Sequence, residues 1–133
     1  MTPSLPAALY TATNRAVLAH VDERSAHSDI GDALVAALRQ LGDVQIHCRD
    51  WQQCRAVLAA TGNVIFGVAI GMNTIAFRLD QRMQARALAS GGAAYPECGA
   101  EWVSFVLFRD DWPKVDVEFW ALKAYVDARS DAG

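Results

Sequence analysis

The spacing of apolar residues along the chain sets out a series of short elements. Leu9, Val17 and Val21, with Thr13 in the same row, recur at four-residue steps, and this rhythm predicts an amphipathic helix over 6–23. Ser28 or Asp29 then caps a second helix that carries Ile30, Leu34, Leu38 and Leu41 on one side and stops at Gly42. In residues 43–48, Val44, Ile46 and Cys48 alternate with Gln45 and His47, the period of a half-buried strand. Asp50 and Gln53 resemble a capping box, and Cys54, Val57, Leu58 and Thr61 share a helical face, so 50–61 reads as a short helix ended by Gly62.

Two β-rich runs follow, 64–70 and 74–79, joined across Gly71, Met72 and Asn73, a turn-competent link that predicts a hairpin. The small residues Gly67 and Ala69 imply a bulky group lying against them. Asp80 caps a helix over 80–89, with Met83, Ala87 and Leu88 toward the core and Gly91-Gly92 as the stop. Residues 102–108 are apolar on both faces, which fits a central strand. A last helix over 113–129 places Pro113 in its first turn, with Asp111 nearby to cap and Val115, Phe119, Leu122 and Val126 as its inward stripe. The order ααβαββαβα describes an α+β fold with a mainly antiparallel sheet of about four strands, built as one domain over 1–133 with 1–27 as a helical N-terminal extension.

Composition narrows the classes of function. With 53% apolar and 20% charged residues, the chain of 133 residues can bury a core without disulfides or metal. Lys and Arg number 12 against 15 Asp and Glu, a net charge of −3 without a basic run, so no direct nucleic-acid partner is expected. Cys48, Cys54 and Cys98 form no C-x-x-C pair, the opening MTPSLPAALYTATNR has no basic n-region, and no run reaches the length of a membrane span. The expected setting is the cytoplasm, with no membrane contact.

The search for chemistry returns few candidates. Residues 99–125 hold three of the four tryptophans and three of the five phenylalanines. A buried tryptophan removes about 150 to 250 Å² from water, worth about 4 to 6 kcal/mol as an upper bound, so Trp102, Phe105 and Phe119 are assigned to the core. Trp112, in the loop RDDWP, and Trp120, which shares a helical side with Asp116, Lys123 and Asp127, are candidates for ligand or interface contact, with Tyr95 and Asp116 beside them. Asp110, Asp111, Asp116 and Glu118 suit the N-terminal end of a helix dipole and need no catalytic explanation. His20, His27, His47 and the cysteines match no common zinc spacing, and Cys98 in YPECG lacks a basic neighbour and reads as an inert loop thiol. Arg78, Arg82 and Arg86 make a small cationic row of the kind usually solvated on a helix face. No Walker, dinucleotide-binding, nucleophile-elbow or zincin motif is present, so no catalytic residue, cofactor or metal site is expected.

Three stretches carry a resemblance to known proteins. "VIFGVAIG" (64–71) is similar to the M-F-G-G-x-G strand of the TfoX/Sxy N-terminal domain, "IAFRLDQRMQARALASGG" resembles that domain's L-Y-L-R-x-D strand and following helix, and "FWALKAYVDAR" looks like its closing W-A-R-x-A helix. Together they cover about residues 38–129 and extend to the MmcQ/YjbR-like small bacterial proteins. Val68 stands where the pattern has a second glycine, 50–61 reads as an inserted helix, and 1–27 have no counterpart. The resemblance implies a helix-flanked antiparallel sheet, no catalytic set, and regulation through protein contacts. Two functions follow as expectations. The first is a non-enzymatic interaction or regulatory domain with a homodimer or protein partner. The second is a protein that binds a small molecule between the last helix and the sheet, where Gly67, Ala69 and Gly71 leave room and Trp112, Tyr95 and Asp116 line the space.

Overall fold

The computed structural model describes residues 5–21, 26, 28–51, 54–107 and 116–132. After a single 3-10 turn at Ala7–Leu9, the elements are α1 Arg15–Val21, α2 Ser28–Leu38, β1 Gln45–Trp51, β2 Cys54–Thr61, β3 Val64–Ile70, β4 Thr74–Arg78, α3 Gln81–Ala89, β5 Ala93–Ala94, β6 Trp102–Val106 and α4 Val117–Ala132. The strands form one antiparallel sheet in the order β1-β2-β3-β4-β6-β5. The fold class is α+β, as expected from the sequence; the sheet has six strands rather than about four.

The largest difference is β2, which replaces the helix expected over 50–61. Ala56 to Ala60 are consecutively buried, with β1 on one side and β3 on the other. A strand covered on both faces shows a continuous apolar run, and a short run of that kind satisfies helical and strand spacing alike. The alanines also alternate: Val57 and Ala59 face one core, while Ala56, Leu58 and Ala60 face the other. A register shift between Ala59 and Ala60 accommodates the pairing with β3.

Asn14 breaks the helix expected over 6–23. Its side chain is fully buried; Nδ2 donates to the carbonyls of Leu9 (2.8 Å) and Asn63 (2.7 Å), and Oδ1 accepts from Ile65 N (3.0 Å). These bonds tie the N-terminal segment to the β2–β3 turn, so a 3-10 turn precedes the break and α1 begins only at Arg15. The β3–β4 hairpin forms as expected, with Gly71 at φ +70, a conformation glycine adopts without a Cβ penalty.

Two cores lie on opposite faces of the sheet. On one, α2, α3 and α4 close over Phe66, Ile75, Phe77, Val103 and Phe105. On the other, Leu5, Leu9, Val17, Leu18 and Val21 cover Leu58, Ile65, Val68, Ala76 and Trp102. The bulky neighbour inferred for Gly67 is Phe77: a Cβ added at Gly67 would lie 3.3 Å from its ring and 3.7 Å from Ala59 Cβ. At Gly67 the space is therefore taken by the core, whereas a Cβ at Gly71 would meet nothing within 4 Å.

Candidate functional site

α3 and α4 flank a groove at the surface of the first core, and local sequence explains both positions. Asp80 caps α3, its Oδ1 accepting from Met83 N at 2.8 Å. Asp116 does the same for α4, accepting from Phe119 N at 3.0 Å, which takes the capping role expected of Asp111. Asp110, Asp111, Pro113 and Val115 lie outside the described residues.

α4 is turned relative to the sequence expectation. Ala121, Ala124 and Ala128 are fully buried, and Trp120, 5% exposed, joins them on the inward side. The Trp120 ring stacks on Phe105 with centroids 5.4 Å apart and meets Phe119 edge-on at 4.8 Å. An alanine row lets the helix axis approach the sheet closely, and the single large indole fills what space remains. The cost of this phase is borne by Leu122 and Val126, assigned inward from their spacing, which are 43% and 56% exposed.

These two side chains border a groove of about 470 Å³ between α3 and α4. Met83 shares its lining, with three cations, Arg82 and Arg86 from α3 and Lys123 from α4, and two carboxylates, Asp80 and Asp127. Arg86 and Lys123 each lie 5.5 Å from the centroid of the Phe119 ring. Among the described residues, none of the three has a carboxylate within ion-pair distance.

The nearby carboxylates are engaged elsewhere. Arg78, expected to extend the cationic row of Arg82 and Arg86, is instead buried at the end of β4. Its Nε is 2.8 Å from Glu101 Oε2, its Nη2 2.7 Å from Asp131 Oδ2, and its Nη1 3.7 Å from Asp127 Oδ2. One guanidinium thus pins the C-terminal half of α4 to the turn before β6. Burial and the like charge of Asp131 raise the Asp127 carboxyl above its ordinary 3.8, against the opposing pull of Arg78.

Of the four residues singled out from the sequence, the three that are described do not converge. Trp120, expected on an outer flank, is core, because the alanine row rather than the aliphatic row faces the sheet. Asp116 is an exposed cap at the same end of α4. Tyr95 sits on the opposite face of the sheet, where its hydroxyl is 2.7 Å from His20 Nε2. Trp112 lies outside the described residues. Cys98, expected in an open loop, is 2% exposed and packs in the second core. A further cleft of about 530 Å³ lies between α1 and the 98–102 turn, with Arg15, Arg78 and Glu101 at its sides and Ala16 and Ala19 along its wall.

Leu122 and Val126, expected inward, were missed as a surface; the competing row of Ala121, Ala124 and Ala128 at helical spacing shows only that a second phase of α4 was open. Among the described residues no helix is long and apolar enough to cross a membrane. Among the same residues no cluster of His, Cys, Asp or Glu suits a metal ion. The chain matches no protein-family model, no curated protein and no solved structure.

Proposed function

We propose that this protein is a non-enzymatic interaction domain, working in the cytoplasm, that docks a partner on the outer face of α3 and α4. The observation that carries the reading is the inverted phase of α4: alanines are spent on the core, while Leu122 and Val126 are held at the surface beside Met83. Clustered exposed aliphatics edged by charge mark an interaction surface more than scattered ones do. The resemblance to the TfoX/Sxy domain points the same way, toward regulation through protein contacts. Self-association through Trp120 loses its basis, since that indole is already covered within the chain.

A photocrosslinking residue placed at Val126, compared with one at exposed Glu97, tests the reading in cells that express the protein. A discrete adduct from position 126 and none from position 97 is the expected result. Equal background from both positions would remove the surface from consideration.

A small-molecule role is supported by the cleft beside α1, whose volume of about 530 Å³ falls within the usual range for ligand sites. A thermal-shift panel of metabolites at millimolar concentration should then raise the melting temperature of the wild type and leave an Ala16→Trp variant unshifted. No shift with any compound would set this second reading aside.

A further inference from the structure

We infer that the partner of the α3–α4 groove is an acidic amphipathic helix of another protein; the inference rests on the interaction reading above. Three features of the groove select this occupant. Its walls are two helices whose backbone groups are bonded internally, so an extended peptide would find no main-chain partners along it, whereas a helix brings its own ladder closed. Its apolar contacts, Leu122 and Val126, stand one helical turn apart, the spacing at which apolar side chains of a second helix interdigitate. α3 gives it nine residues of wall, about 13 Å, so a partner of three to four turns spans it.

Charge decides the sign of the partner. Arg82, Arg86 and Lys123 lack carboxylate partners among the described residues, in a chain whose net charge is −3. Of the two carboxylates in the lining, Asp80 caps α3 through Met83 N and Asp127 lies 3.7 Å from Arg78 Nη1, so the cations outnumber them three to two. A helix with leucine-like residues at i, i+3 or i+4, and i+7, and Asp or Glu along the flank facing α3, satisfies both the apolar and the cationic sides. A second copy fits less well: an isologous pairing of this groove would bring six cations together against four carboxylates, two of them already capping α3. Among the described helices α2 is acidic at its start, but Ile30, Leu34 and Leu38 are buried and offer no free apolar stripe.

A display library of random sixteen-residue peptides, panned against the full chain, tests this without assuming a sequence. The expected outcome is enrichment of net-acidic peptides with apolar residues at helical spacing. Their affinity should fall at least tenfold with Leu122→Asp and, separately, with Arg82→Glu/Arg86→Glu, and should weaken as salt rises from 50 to 300 mM. Arg82→Glu alone, at an exposed residue with no ion-pair partner among the described residues, serves if the double variant melts early. Enriched peptides that are neutral or basic yet sensitive to Leu122→Asp would overturn the acidic helix and leave the interaction surface standing. Peptides indifferent to Leu122→Asp, or no enrichment at all, would overturn it as well, and with an adduct missing at position 126 would overturn the interaction reading too. Sedimentation and binding to vesicles containing phosphatidylglycerol or to duplex DNA run alongside. A dimer, vesicle complex or DNA complex abolished by Leu122→Asp would reassign the groove to that occupant.

Discussion

Arg78 holds together parts of the molecule that the backbone alone does not. Glu101 and Asp131 are about half exposed, so water compensates them in part if the guanidinium is removed. Arg78→Met should therefore cost about 2 kcal/mol, below the figure for breaking a fully buried pair, and urea titration measures it. Asp127 behaves oppositely. Its folded-state carboxyl titrates above 3.8, so the ionised form is disfavoured in the fold, and the stability it contributes at low pH is lost as pH rises from 3.8 through the raised value. Asp127→Asn should thus match or exceed wild-type stability at pH 7, by less than about 1 kcal/mol given the 3.7 Å separation from Arg78, with the gain absent at pH 3.5. Melting curves of both proteins at the two pH values decide it; a variant less stable at pH 7 than at pH 3.5, relative to wild type, would show that the pairing with Arg78 dominates instead.

At the scale of elements, the phase of α4 makes a contrast between neighbouring positions. Leu122→Ala removes a side chain that is 43% exposed and should cost under about 1 kcal/mol, where the same change at a core leucine costs about 2 to 5. Ala124→Leu forces three more carbons against the sheet and should cost about 2 kcal/mol or more. The reverse ranking in denaturant titrations would mean that the aliphatic row faces inward after all. Gly92 gives a similar test for the end of α3, since a Cβ there would lie 2.7 Å from Val103 Cγ1 and 2.9 Å from the Ala87 carbonyl; Gly92→Ala should cost about 1 to 3 kcal/mol. How far these elements were legible depended on whether one period fitted alone. The β3–β4 hairpin and the Asp80 cap could be read because turn and cap residues carry local chemistry. β2 could not, because its run of Ala and aliphatic residues is compatible with either period and the outcome was set by the strands on either side. α4 offered two apolar rows, and hydrophobicity favours the larger side chains. What selected the alanines was close packing in the core that α4 shares with the sheet, a tertiary effect that no spacing encodes. The groove was missed for the same reason, and Trp120 was placed outside as a corollary.

At the scale of the molecule, the sheet depends on both of its covers. On the first face, α2 is tied to the sheet by Ile30, Leu34 and Leu38 and α4 by Trp120 and its alanine row, whereas the N-terminal layer is short: a 3-10 turn and the seven residues of α1. So short a helix has little stability of its own, and its place is set by Leu9, Val17 and Val21 in the second core and by the three hydrogen bonds of the Asn14 side chain. If this layer lifted alone, Leu58, Ile65 and Val68, now fully buried, would meet water at about 1.5 to 3 kcal/mol each. Partial detachment is thus disfavoured, and the layer should unfold together with the sheet. Asn14→Ala removes the side-chain partner of the Ile65 amide and of the Asn63 carbonyl, while the Leu9 carbonyl keeps Thr11 N, and should lower global stability by about 2 to 4 kcal/mol. The form of the loss is the sharper test. In the variant, hydrogen exchange at Leu18 and Val21 should report the same lowered opening free energy as exchange at Val68 and Ile75, and circular dichroism should show one transition. Exchange that accelerates in α1 alone, with β3 and β4 still protected as in the wild type, would make the N-terminal layer an independent unit resting on an already stable sheet.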